Sequence, residues 1–288
     1  MEKGELFFES FNMAVEAAYD KYFKAADKEI LKGIANEDGL KLIIKNETGK
    51  WQSITLNELD GKTPAEYVDS IDSLEGLVEL FNTGAIVCDN DLPSIFSARL
   101  RSYGDMAIDA LLKLCGDRRL SNMEDMLPVQ LMAIKVLGDW RVERAVTPLI
   151  ELLYYKCDNT EIISEKVKDS LVSIGRNALG SIMKAVDERG LASAAVDYLL
   201  MALSDIGREN KSDDVYKCLK NSFLNMPDKD IGAICLGDYG DGRAIPALRG
   251  FLEKNSNCIG KETYYEIVAA IRRLGGIADD LGNWKMQV

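Results

Sequence analysis

Residues 136–153 read Val-Leu-Gly-Asp-Trp-Arg-Val-Glu-Arg-Ala-Val-Thr-Pro-Leu-Ile-Glu-Leu-Leu, and from Leu137 onward they align without a gap to Leu236-Gly-Asp-Tyr-Gly-Asp-Gly-Arg-Ala-Ile-Pro-Ala-Leu-Arg-Gly-Phe-Leu252, 99 residues downstream. A motif used twice restricts the chain to folds assembled from like units. Ahead of it, Leu127, Leu131 and Ile134 stand at i, i+4 and i+7 with Ala133 and Leu137 alongside, the apolar stripe of a helix. Gly138 follows the last apolar residue, which predicts a left-handed glycine ending that helix. Asp139 and Glu143 then suit the start of a second helix, where negative charge meets unpaired N–H groups. Val146, Leu149, Ile150 and Leu153 give this second helix its own stripe, and Pro148 belongs in its first turns. With one apolar face per helix the hairpin is not stable alone, so neighbours must stack on it.

Gly104, Gly175, Gly207 and Gly275 hold the corresponding place after other apolar helices. With Gly138 and Gly237 they are spaced 34, 37, 32, 30 and 38 residues apart. The Leu-Gly-Asp turn, followed by an Arg-Ala-Val/Ile-Pro-type second helix, resembles the short HEAT-like repeat family of the phycobilisome-lyase type. The resemblance is close over 136–153 and 236–252, partial over 94–116, 165–187 and 195–224, and slight over 262–288. It implies a mainly α protein: an α-solenoid of about six HEAT-like hairpins over residues 91–288, its last unit a degenerate cap.

Residues 1–90 read differently. They hold nine Lys, no Arg and eighteen acids, a net charge of −9, whereas residues 91–288 hold thirteen Lys, thirteen Arg and twenty-nine acids. The boundary is therefore expected near residue 90, with an acidic helical region capping the array. Phe8, Phe11, Val15, Ala18 and Tyr22 recur every three or four positions in a first helix over 5–32, whose aromatics suit packing on its own domain. Leu40-Lys-Leu-Ile-Ile-Lys, an Asn/Gly turn and Trp51-Gln-Ser-Ile-Thr-Leu56 read as a β-hairpin. Thr63-Pro-Ala-Glu66 is a capping box opening a helix, and another helix starts near Ser73 and stops at Gly84. Gly61-Lys-Thr63 lacks the first glycine of a P-loop, and the cap accounts for it. Asp89-Asn-Asp91 lacks the later Gly and Glu of a calcium loop.

Composition narrows the chemistry. The 288 residues contain no histidine, which removes Ser-His-Asp and Cys-His mechanisms. The six cysteines are scattered without a Cys-x-x-Cys pair, and those in apolar helices (Cys115, Cys218, Cys235) read as reduced, buried thiols of a cytoplasmic protein. No metal or cofactor is expected, and neither an export signal nor a membrane-spanning run is recognisable.

A repeat array binds partners along the wall formed by its second helices. Trp140 and Tyr239 share one repeat position and Arg144 and Arg243 another, with Arg141, Arg176 and Arg208 nearby. Aromatic plus arginine is the composition of a binding hot spot. The competing reading gives these residues a structural role, tying adjacent repeats together. The function expected is a non-catalytic protein-binding scaffold or adaptor. The family resemblance also admits a nucleic-acid binder or HEAT-fold DNA glycosylase-like enzyme, against which a net charge of −12 argues. It further admits a chromophore-lyase-like protein.

Overall fold

In the computed structural model the described residues are 2–26, 37–88, 91–116, 126–156, 161–255 and 258–281, and they are almost entirely helical. Residues 27–32 of the expected first helix, the Arg118–Asp125 loop, Asp89, Asn90, Cys157 and Trp284 lie outside them. Two compact units are present, residues 1–132 and 133–288, and the dividing point falls inside a helix.

The first unit contains α1 (Lys3–Ala26), α2 (Glu37–Trp51), α3 (Pro64–Asp69), α4 (Leu74–Val87), α5 (Ser94–Arg101), α6 (Asp105–Gly116) and the first turns of α7 (Leu127–Asp139). Its core is aromatic. Phe7 and Phe8 are fully buried, and Phe7 and Phe11 meet the Trp51 ring at 5.3 and 5.2 Å. The Trp51 indole N–H donates to Ser10 Oγ at 3.0 Å. The expected packing of α1 on its own domain is what these contacts describe.

The β-hairpin over 40–56 is not formed. Residues 37–51 are one helix, and among the described residues the only β pairing is an isolated bridge between Leu56 and Lys62. Leu40, Ile43 and Ile44, Glu47 and Thr48, and Trp51 lie three or four apart, so a helix directs all of them to one side. Burying Trp51 against α1 demands that side, and the apparent alternation of Leu and Lys yields to it. The capping box forms as expected: Thr63 Oγ1 accepts from the Glu66 N–H at 3.2 Å, and a Glu66 carboxylate oxygen accepts from the Thr63 N–H at 2.8 Å. Ser73 caps α4, but α4 runs on through Gly84 to Val87. Gly84 is there for closeness, since a Cβ would overlap the Phe8 ring and stand 2.8 Å from Leu92.

The charge boundary at residue 90 is not where the packing divides. Helix α5 packs on α3, and α6 on α4. Arg99 reaches the Ile71 carbonyl at 3.0 Å, and the Tyr103 hydroxyl donates to the Asp72 carbonyl at 2.7 Å. Residues 91–132 thus belong with the acidic region in the first compact unit.

The second unit takes in the end of α7, then α8 (Val146–Lys156), α9 (Glu161–Ile174), α10 (Leu179–Arg189), α11 (Ala194–Glu209), α12 (Asp213–Asn225), α13 (Lys229–Tyr239), α14 (Ile245–Asn255) and α15 (Lys261–Arg273). The two sequence copies follow the same course. Short 3-10 turns, Glu143–Ala145 and Gly242–Ala244, lead into α8 and α14, each offset by the same 99 residues. Arg141 (φ 54°) and Gly240 (φ 74°), also 99 apart, are both left-handed.

That correspondence corrects the expected role of the repeated glycine. Gly138, Gly207 and Gly237 are inside α7, α11 and α13 and do not end them. They let helices approach. A Cβ on Gly138 would lie 2.8 Å from the Ser170 Cα, one on Gly207 2.9 Å from the Tyr239 ring, and one on Gly237 3.3 Å from the Ala270 Cα. Buried serines tie the same interfaces: Ser170 donates to the Ile134 carbonyl at 2.9 Å and Ser204 to the Cys235 carbonyl at 2.9 Å. Gly104, Gly175 and Gly275 do have positive φ, as a helix-ending glycine should.

Helices α9, α11, α13 and α15 therefore form a layer of successive close neighbours. The intervening α8, α10 and α12 touch one another far less, each packing chiefly on the helix that follows it in sequence. Among the described residues no helix is long and apolar enough to cross a membrane.

Candidate functional site

The residues expected to form an exposed aromatic–arginine ledge are mostly used to hold the fold. Tyr239 is fully buried, its hydroxyl donating to the Ser212 carbonyl at 2.9 Å and accepting from the Ser212 N–H at 3.0 Å. The space it fills is the one Gly207 leaves open. Trp140, at the same repeat position, is buried at 8% exposure. Neither ring is available to a partner, because both are buried. A shared repeat position signalled a shared packing role.

Arg243 is exposed but committed. Its Nη2 donates to Asp241 at 2.7 Å, its Nη1 to Asp213 at 2.7 Å, and its guanidinium lies 4.4 Å from the Tyr216 ring centroid. Hydrogen bonds from Arg243 hold the carboxyls of Asp241 and Asp213 below the usual range, and both raise Arg243 in return. The Tyr216 hydroxyl completes the knot by donating to the Arg243 carbonyl at 2.8 Å. Arg208 donates to the Asp238 carbonyl at 3.0 Å, Arg273 pairs with the Asp238 carboxylate, and Lys211 donates to the Gly240 carbonyl at 2.6 Å. Turn residues of one hairpin are thus fastened by basic residues of the hairpins on either side. Arg141, Arg144 and Arg176 are exposed at or beside their 3-10 turns, and Arg141 spends its position on the left-handed conformation.

What lies open is between the second helices. A groove of about 200 Å³ separates α10 from α12, bordered by Asp187, Cys218 and Asn221. A larger one of about 400 Å³ separates α12 from α14. Leu224, 44% exposed, and Pro246 and Phe251 give it apolar surface; Lys220 and Lys254 flank it and Arg243 closes one end. The α12 stripe Val215, Leu219 and Phe223 is buried, and Phe223 meets Phe251 edge-on at 5.3 Å beneath the groove. Lys229 braces the floor from behind, donating to the Phe223 and Leu224 carbonyls at 2.8 and 2.9 Å.

None of Lys220, Leu224, Gly250 and Lys254 stood out in the sequence. Two signals were present: Leu224 is apolar but off the stripe of its helix, and Gly250 is a helix-interior glycine with no turn beside it.

Three buried or half-buried thiols are held in their protonated form. Burial pushes Cys115 up to about 12 and Cys218 up to about 11, and raises Cys235 as well, so the thiolate is scarce at neutral pH. Among the described residues no group of three or more acids and cysteines is placed to hold a metal ion. No family model, no curated protein and no solved structure matches the chain.

Proposed function

We propose that the chain is a non-catalytic protein-binding scaffold or adaptor, built as an array of HEAT-like hairpins and docking its partner along the second-helix face. The observation that carries this reading is the contrast between the two layers. First helices are drawn together by Gly138, Gly207, Gly237 and the buried serines, while α10, α12 and α14 stand apart and leave two successive grooves. A repeat array that keeps its second helices parted presents concave surface to another protein. The nucleic-acid alternative has less to draw on. Arg208, Arg243 and Arg273 are engaged with acids or carbonyls, and a chain of net charge −12 supplies no basic stripe. The chromophore-lyase alternative calls for a deep apolar pocket with a cysteine or carboxylate at its base, whereas Cys218 borders a small open groove and is held as a thiol.

Affinity capture with the wild-type chain and with the double variant Asn221→Arg/Gly250→Leu tests the reading. Both changes fall on helix surface facing a groove, so the variant is expected to stay folded, and its circular dichroism and Tm are measured alongside the capture. Proteins retained by the wild type and lost by the variant are expected. Equal recovery, or recovery of nothing, overturns the proposal.

A further inference from the structure

The groove between α12 and α14 has three features that packing does not require. Gly250 lies within α14, where glycine weakens a helix, and a Cβ there would meet nothing within 4 Å. Gly138, Gly207 and Gly237 each make room for a neighbour already in place, whereas the space beside Gly250 is open to the groove. Leu224 turns away from the buried stripe of α12 and is 44% exposed beside it. Lys220 and Lys254 stand on the two helices that border the groove, and neither has an ion pair among the described residues. Arg243, at one end, is already neutralised by Asp213 and Asp241.

We infer that this groove binds an acidic linear peptide segment of a partner protein. An aliphatic or aromatic side chain of the segment rests on Leu224, Pro246 and Phe251, over the gap at Gly250, while its carboxylates face Lys220 and Lys254. The inference rests on the protein-binding reading above and narrows it to one place and one chemistry. Charge selects the occupant. Two ammonium groups flank an apolar floor in a chain of net charge −12, so an anionic segment is drawn here and repelled from most other surface. The apolar floor distinguishes a peptide from a nucleic acid, whose phosphates cannot use Leu224 or Phe251.

A random dodecapeptide display library, selected on the full chain, tests this. The enriched peptides are expected to carry two or more Asp or Glu around a Leu, Phe or Trp. Their binding should weaken about tenfold or more in Gly250→Leu and, separately, in Lys220→Glu/Lys254→Glu, the loss expected when a central anchor or its charge partner is removed. Added salt should weaken wild-type binding further. The lysine pair is exposed or half-exposed, so that variant reports on the groove even where Gly250→Leu disturbs α14. Peptides without acids, or acidic peptides indifferent to both variants, overturn the inference and leave protein binding standing. Displacement of a selected peptide by single-stranded oligothymidylate overturns it in favour of a nucleic acid. Selection of no peptide overturns it too, and the affinity capture then decides the broader reading independently.

Discussion

Gly138 and Gly250 occupy helices of the same unit and meet opposite surroundings, which makes alanine informative at both. At Gly138 the new Cβ would stand 2.8 Å from the Ser170 Cα, and backbone cannot step aside as a side-chain tip can. Overpacking of this kind costs about 1–3 kcal/mol. At Gly250 the Cβ enters open space, and replacing a helical glycine stabilises by roughly 0.5–1 kcal/mol. Equilibrium urea unfolding should therefore move the midpoint down for Gly138→Ala and up for Gly250→Ala. Shifts of the same sign would refute the distinction between filled and vacant space. Asp197 supports a second test at this scale. Desolvation, followed by the charge of Asp228, raises its carboxyl to about 6. A raised carboxyl binds its proton more tightly in the folded chain, so its penalty is absent below about pH 3, where both states are protonated. The penalty grows as pH rises from the ordinary carboxylate range toward the shifted value and is full above it. Asp197→Asn should match the wild-type Tm at about pH 3 and exceed it at about pH 7, and a gap independent of pH would exclude this origin.

Elements whose signal is local were legible before any coordinates. The capping box Thr63-Pro-Ala-Glu66 needs only four residues, and it formed as written. The helix–turn–helix of the duplicated segment was equally plain, since its apolar spacing and Pro148 act within a few residues. Helix α2 was misread because its deciding interaction is not local: Trp51 belongs on Phe7 and Phe11, some forty positions earlier in the chain. The ends of α4 and α7 were placed at Gly84 and Gly138 for the same reason. A glycine that terminates a helix and one that admits a neighbour look alike until the neighbour is known, here Phe8 and Ser170. The binding ledge failed on this point as well. Duplication of Trp140 as Tyr239 marks a position under constraint, and only burial tells whether the constraint is a partner or the fold. Lys220, Leu224 and Lys254 belong to different helices, and their spacing in sequence carries no sign of the groove they border.

At the level of the chain, composition and packing divide the molecule at different places, and the packing governs how it should come apart. Arginine begins at Arg99, yet Arg99 is tied to the Ile71 carbonyl, and the compact units part within α7. Each unit has its own buried core, aromatic around Phe7, Phe8 and Trp51 in one and built from stacked helix interfaces in the other. In a stack whose helices touch mainly their neighbours, stability is a sum of adjacent interfaces, so damage to one should fade with distance along the chain. Gly237→Val places a branched side chain where even a Cβ lies 3.3 Å from the Ala270 Cα, directly at the contact of α13 with α15. Hydrogen exchange followed by mass spectrometry should then show faster exchange in α13 and α15 first. The effect should be smaller in α11 and α12, which also pack on α13, and α1 through α6 should be unchanged. Faster exchange spread evenly over both units would mean that the chain opens as one cooperative body, and the stacked-interface account of the second unit would have to be abandoned.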